Sequence, residues 1–253
     1  MSSKRYRSEW KYCEKHEKLE VIRQRMAGLM KIDAYAGENG KYEVNSLYFD
    51  DYRNTCAREN IAGECKRFKY RIRYYGNNSS KLWLEKKEKQ NNYCYKQKCP
   101  ITVEEYNMII NGRAMEVFWN TNNSLLRNFC TDIVTARFEP KVIISYERRA
   151  YIEEITNVRI TFDYNISASD DIEKFLQGNY LKIPVLAQNR HVLEVKFDDV
   201  VDAPFDKDKE VGEVVVTFDG NLVNKQSVYA IEGIKQKSIA DKAKDIFDQW
   251  YLD

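Results

Sequence analysis

Basic residues recur at every second position along several short stretches, and that spacing is the first sign of chemistry. Lys69, Arg71 and Arg73 alternate with Tyr70, Ile72 and Tyr74. Glu85, Lys87 and Lys89 share one parity, while Leu82 and Leu84 begin the other. Tyr146 aligns with Arg148, and Arg159 aligns with Thr161 and Asp163. Glu194 and Lys196 alternate with Leu193, Val195 and Phe197, and Glu9 and Lys11 alternate with Trp10 and Tyr12. In a strand, residues two apart share a face. Several strands thus carry an ordered polar face, mostly cationic with a few carboxylates. One such face needs no function, because antiparallel sheets often keep one side wet. Solvent faces, however, mix signs and use Ser, Thr and Gln freely. If the sheet closes, one face must point inward. A lining of Lys and Arg is then costly unless water or an anion fills it. A triphosphate would neutralise it, with Arg giving two-pronged donors and Lys a point charge. Glu9, Glu85 and Glu194 then have a purpose as oxygen ligands for a hard divalent cation beside the phosphates.

These stretches must sit on a framework. The best strand candidates are 42–50, 67–75, 81–89, 141–151, 158–164, 191–197 and 213–219, rich in Val, Ile, Tyr and Phe. Residues 76–80, Gly-Asn-Asn-Ser-Ser, read as a hairpin turn. Helices are expected over 15–31, from a capping box at Thr102 to Gly112, over 125–134, from Ser169 to before Gly178, and over 238–251. Strands come in runs with helices between the runs, which favours an antiparallel α+β fold over a doubly wound parallel sheet. No Pro-rich linker or internal repeat divides the chain, so a single domain over 1–253 is expected.

Composition narrows the classes. The 253 residues are 43% hydrophobic with a net charge of +2, too apolar for a disordered chain and too balanced for a basic nucleic-acid coat. The opening residues lack the apolar core of a signal peptide, so none is expected, and there is no run of 18 apolar residues. The six cysteines form no C-x-x-C pair and only two histidines exist, which argues for reduced thiols and a cytoplasmic location and against a zinc site. No Walker loop is present.

Taken in order, the polar stretches resemble a known family. Arg7-Ser-Glu-Trp-Lys-Tyr12, Ser46-Leu-Tyr-Phe-Asp50, Arg67 to Gly76 and Leu84-Glu-Lys-Lys87 are followed by Tyr146-Glu-Arg148, Arg159 to Asp163 and Leu193-Glu-Val-Lys196. Together they resemble the VTC domain, the polyphosphate-polymerase branch of the triphosphate tunnel metalloenzymes, in a stand-alone bacterial-type form. The resemblance implies a closed antiparallel β-barrel tunnel with helices packed outside. It implies transfer of the terminal phosphate of ATP to a growing polyphosphate, with Mn²⁺ or Mg²⁺ as cofactor. Lys11, Arg71, Arg73 and Lys87 would line the tunnel, and Lys96 or Lys98 would add a phosphate contact. Tyr146, Arg148 and Arg159 would close the cage, and Glu194 would hold the metal beside Lys196.

The chain departs from the pattern at two places. Arg7 stands where the wider superfamily begins its E-x-E-x-K with a carboxylate, which matches the polymerase branch better than the hydrolases. Late in the chain, Ser227-Val228-Tyr229 replaces the usual Ser-Lys-Tyr, leaving Lys225 as the substitute. The phosphate-sensing domain and membrane helices of eukaryotic members are not expected. Two other readings compete: an inorganic triphosphatase in the same tunnel, and a non-catalytic binder of polyphosphate or nucleic acid. The polyphosphate binder is motivated by Val228, and the nucleic-acid binder rests on 18 tyrosines interleaved with cations. It needs an open aromatic face, so no nucleic-acid partner is expected.

Overall fold

The fold was obtained as a computed structural model, which describes residues 8–37, 39–90, 93–153, 158–197, 210–218 and 221–229. The chain forms two compact units, Met1–Asp198 and Asp199–Asp253. The first opens with β1 (Ser8–Lys15), α1 (His16–Ala27), β2 (Lys31–Ile32) and β3 (Tyr42–Asp50). Next come α2 (Thr55–Ala62), β4 (Lys66–Tyr75), β5 (Asn78–Gln90) and β6 (Tyr93–Ile101). Three helices follow, α3 (Val103–Ile110), α4 (Ala114–Asn120) and α5 (Ser124–Thr135). The unit ends with β7 (Glu139–Glu153), β8 (Val158–Ser169), a 3₁₀ turn (Ile172–Gln177), β9 (Ile183–Pro184) and β10 (Arg190–Phe197). In the second unit β11 (Glu210–Phe218) pairs with β12 (Asn221–Tyr229). The closing helix expected over 238–251 lies outside the described residues.

The first unit is built on one antiparallel sheet of ten strands, in the order β1-β10-β8-β7-β3-β4-β5-β6, with β2 on β7 and β9 on β8. The mixed helix-and-sheet class is as expected. The closed barrel is not: among the described residues no backbone bond joins β1 to β6. Pro100 on β6 gives a reason, since a residue without an N–H is tolerated only at a sheet edge. The sheet nevertheless curls strongly. Six strand-to-strand steps separate β1 from β5, about 29 Å in a flat sheet at ~4.8 Å per step. Yet Lys87 Nζ on β5 lies 2.6 Å from Glu9 Oε2 on β1. The two ends of the sheet are bridged by side chains across its concave face.

The convex face is apolar and carries the helices. Leu47, Phe49, Tyr70, Ile72, Tyr74, Leu82 and Leu84 pack under Tyr106 and Ile109 of α3, Val117 of α4 and Leu125, Leu126 and Phe129 of α5. The last three, with Cys130, lie on one stripe of α5. Asn123 starts that helix by accepting from the Leu125 and Leu126 N–H groups at 3.0 and 3.2 Å. The capping box at Thr102 is formed in both directions. A second cluster joins Leu19 of α1 to Tyr151, Phe162, Tyr164 and Leu193. Each buried apolar side chain contributes about 1.5–3 kcal/mol. With that face committed to the helices, the alternate residues have to point into the concavity.

Candidate active site

Register shows how the polar faces join. Glu9 lies opposite Lys196 and Lys11 opposite Glu194. Glu194 lies opposite Thr161 and Lys196 opposite Arg159. The line continues through Arg148 opposite Asp163, Tyr42 opposite Arg148, and Ser46 and Tyr48 opposite Arg73 and Arg71. It ends with Lys69 opposite Lys87, Arg71 opposite Glu85, and Glu85 and Lys87 opposite Lys98 and Lys96. Directly opposed residues share a face. The structure therefore brings Lys11, Lys69, Arg71, Arg73, Lys87, Lys96, Lys98, Tyr146, Arg148, Arg159, Lys196, Glu9, Glu85 and Glu194 onto one concave surface. Lys225 lies on β12, opposite Val215, in the second unit.

Three groups of contacts order this surface. At one end Lys11 Nζ bridges Glu9 Oε1 at 3.1 Å and Glu194 Oε2 at 2.9 Å, and Lys196 pairs with the other oxygen of Glu194. Burial opposes ionisation of both carboxylates, but Lys87 beside Glu9, and Lys196 and Lys11 beside Glu194, outweigh it and hold them below the usual range. Lys11 is shifted up by the same pairing, against the pull of burial. In the middle, Arg148 grips Asp163 with two parallel bonds of 2.6 and 2.7 Å. Arg159 donates to Asp33 at 2.7 Å and to the Tyr42 hydroxyl at 3.1 Å. At the other end Arg71 and Lys96 hold the buried Glu85 carboxylate at 2.6 and 2.5 Å. Burial lowers Lys96 to about 8 despite that carboxylate. Arg73 donates to Ser46 at 2.8 Å and to the Tyr146 hydroxyl at 3.1 Å. Lys98 stacks on Trp83, 3.6 Å from the ring centroid.

A cavity of about 370 Å³ opens beside β1, α2, β4, β5 and β6, lined by Glu9, Lys11, Lys69 and Lys87 together with Arg67, Lys89, Asn60 and Cys94. That volume falls within the range of small-ligand sites. Lys89 continues the Glu85 and Lys87 parity already read from the sequence, and Arg67 could have been found by extending the parity of Lys69 in the same way. Tyr42 and Tyr48 share the parity of Ser46. Asp33 carries no sequence signal at all: it follows a two-residue strand and reaches Arg159 only through the fold.

Other residues have structural roles. Asp50 accepts from the N–H groups of Asp51, Cys56 and Ala57, and Asp51 from those of Arg53 and Thr55, so both organise the start of α2. His191 packs beside His16 and Tyr164 at 5.3 and 5.1 Å, alongside the α1 cluster. All six cysteines are free. Among the described residues no helix is long and apolar enough to cross a membrane.

The donor set bears on metal binding. Glu9 and Glu194 meet at Lys11, whereas Glu85 is held by Arg71 and Lys96. Among the described residues no cluster of three metal-ligating side chains occurs. Two carboxylates suit a hard cation that keeps waters and takes its remaining ligands from phosphate oxygens.

A curled antiparallel sheet with a cationic concave face defines the class. Residues 6–235 match the VTC domain, and the chain belongs to that family. No curated protein matches it. Among solved structures it is similar to a candidate adenylate cyclase from Bacillus halodurans, at 10% identity and a TM-score of 0.44 over 76% of this chain and 81% of that one. It is also similar to a candidate adenylyl cyclase from Hippeastrum described as having a dominant triphosphatase activity, at 10% identity and a TM-score of 0.48 over 77% and 80%. Likeness at this level bears on neither substrate nor reaction.

Proposed function

We propose that the protein is a metal-dependent phosphotransferase that moves the terminal phosphate of ATP onto a growing polyphosphate. The observation that carries this reading is the recurrence of cations on one concave face, from Lys11 on β1 through β10, β8, β7, β4 and β5 to Lys96 and Lys98 on β6. Membership of the VTC family supports an activity on triphosphates. Phosphoryl transfer asks the protein mainly to position charge and neutralise it. Arg71, Arg73, Arg148 and Arg159 are held by neighbouring oxygens, so their orientation is set before substrate arrives. Glu9 and Glu194 would hold Mn²⁺ or Mg²⁺, which when bound neutralises phosphate charge.

The choice of polymerase over triphosphatase rests on Arg7, which leaves Glu9 without the second carboxylate that metal-activated attack by water would use. We further propose one domain over 1–253, with Lys225 serving in place of the late family lysine, and a cytoplasmic location.

Incubation of purified protein with ATP and Mn²⁺ tests the function. The expected products are a polyphosphate ladder and ADP, both lost in Arg71→Ala and both less responsive to metal in Glu194→Gln. Free phosphate without polymer would reassign the protein as a triphosphatase. Triphosphate binding without either product would make it a binder.

A further inference from the structure

Tyr48 stands out among the groups the proposed function does not use. It lies on β3, on the concave face, and its hydroxyl accepts from Arg71 Nη1 at 2.9 Å. Lys69 Nζ stands 5.5 Å from its ring centroid and the Arg71 guanidinium 5.8 Å. Lys69 differs from its neighbours. Lys11, Lys87, Lys96 and Lys196 each pair with a carboxylate. The contact shown for Lys69 is this ring, and directly opposite lies another cation, Lys87. Burial and the charges of Lys87 and Arg71 push Lys69 down, and Tyr48 is the partner that pushes it up.

We propose that Tyr48 is an exchangeable counter-ion of the cationic surface: its phenolate holds Arg71 and balances Lys69 until a phosphate chain enters, whereupon it takes a proton and releases Arg71 to a phosphate oxygen. This rests on the triphosphate-binding reading of the same site. The proton balance is simple. One proton from solvent converts phenolate to phenol, and one phosphate charge replaces the phenolate charge beside Arg71. Tyr48 acts through Arg71 and is a positioning residue.

The surroundings favour the anion. Lys69, Arg71 and Arg73 face Tyr48 from β4, and its neighbour on β7 is the apolar Val142. From β5, Glu85 shares Arg71, and from β7 the Tyr146 hydroxyl shares Arg73. Burial alone would raise the phenol, but Arg71, Lys69 and Arg73 outweigh it and bring it down to about 7. Tyr42, Tyr70, Tyr74, Tyr106, Tyr164 and Tyr180 all move up instead. Comparison with Tyr48→Phe is what assigns a tyrosinate signal near neutral pH to this residue.

The experiment is a titration at 295 nm of the intact protein and of Tyr48→Phe, each with and without tripolyphosphate, alongside calorimetry in two buffers. The expected result is one tyrosinate appearing with a midpoint near pH 7, absent in Tyr48→Phe and abolished by tripolyphosphate. Proton uptake on binding should exceed that of Tyr48→Phe by up to one, because the ligand's own protons cancel in the difference. One pH unit above the midpoint only about a tenth of the protein is protonated, so wild-type affinity should fall about tenfold relative to Tyr48→Phe. Tripolyphosphate binding with no change at 295 nm would overturn the counter-ion and leave the triphosphate site standing. No binding at all would overturn both. The spectral readout on wild type does not depend on how the variant folds.

Discussion

Glu85→Gln tests whether the concave surface is held in readiness for an anion. The Glu85 side chain is 1% exposed and neutralises Arg71 and Lys96. Removing one partner of a buried pair costs about 3–5 kcal/mol. The Lys96 side chain is 43% exposed, so solvent screens part of its share. Arg71 also keeps Tyr48. A net loss of about 2–3 kcal/mol follows, which for a unit of this size lowers Tm by roughly 5–10 °C. The sign with pH is fixed by the same contacts. Although burial raises the Glu85 carboxyl, Arg71, Arg73 and Lys96 outweigh it and bring it well below its ordinary 4.5. Its stabilisation is thus complete above that value and lost as pH falls toward the folded one. The difference between wild type and Glu85→Gln should narrow in acid. Tripolyphosphate should narrow it too, at neutral pH. Loss of a like charge beside the bound anion should tighten binding about tenfold, an extra ~1.4 kcal/mol at saturating ligand. Thermal unfolding at pH 7 and pH 4, with and without tripolyphosphate, reads all three effects. Equal Tm values for the two proteins, or equal shifts on adding ligand, would refute the reasoning.

Three further outcomes are expected. Asp163→Asn breaks the two-pronged pair with Arg148 and should cost about 3–5 kcal/mol, read by urea unfolding at neutral pH. Lys96 has a folded value of about 8, below its ordinary 10.5. Unfolded chains hold more protons between the two, so its contribution to stability rises with pH across that window. Tripolyphosphate affinity should fall as pH rises through 8, and Lys96→Gln should flatten that limb in a calorimetric series. Phe129→Ala empties a fully buried position 4.9 Å from Phe49 on the convex side. It should cost about 3–5 kcal/mol in denaturant while leaving tripolyphosphate affinity unchanged.

The concave surface was legible because strand parity is local. Knowing that Tyr70, Ile72 and Tyr74 belong together is enough to place Lys69, Arg71 and Arg73 on the opposite face. The same rule placed the polar residues of β1, β5, β7, β8 and β10. β6 was read only as a segment after the hairpin, since Tyr93 to Lys98 alternates less clearly. Helices α2 and α4 were missed because neither starts with a side-chain cap, whereas α3, no longer than α2, is announced by its capping box. Asp50 looked like a turn residue, and its carboxylate does organise a helix start. Closure was not legible at all. Whether a curled sheet pairs its two edges depends on which backbone N–H groups face outward. Pro100 removes one of them, and no periodicity reports the outcome. Asp33 was invisible for the same reason: its partner Arg159 is 126 residues away.

The contacts explain how so many cations can share one concave face without a ligand. Glu9 is shared by Lys11 and Lys87, Glu194 by Lys11 and Lys196, and Glu85 by Arg71 and Lys96. Each carboxylate thus serves two cations and leaves net positive charge for a substrate. Phosphate oxygens arriving there do not have to create order, because Asp163, Asp33, Ser46 and Tyr48 already aim the guanidinium groups. They have only to replace weaker partners. Under the proposed polymerase reading, a chain of phosphates would meet cations on seven strands, β1, β10, β8, β7, β4, β5 and β6. That spread of charge would suit the proposed transfer, in which the polymer advances one unit after each turnover.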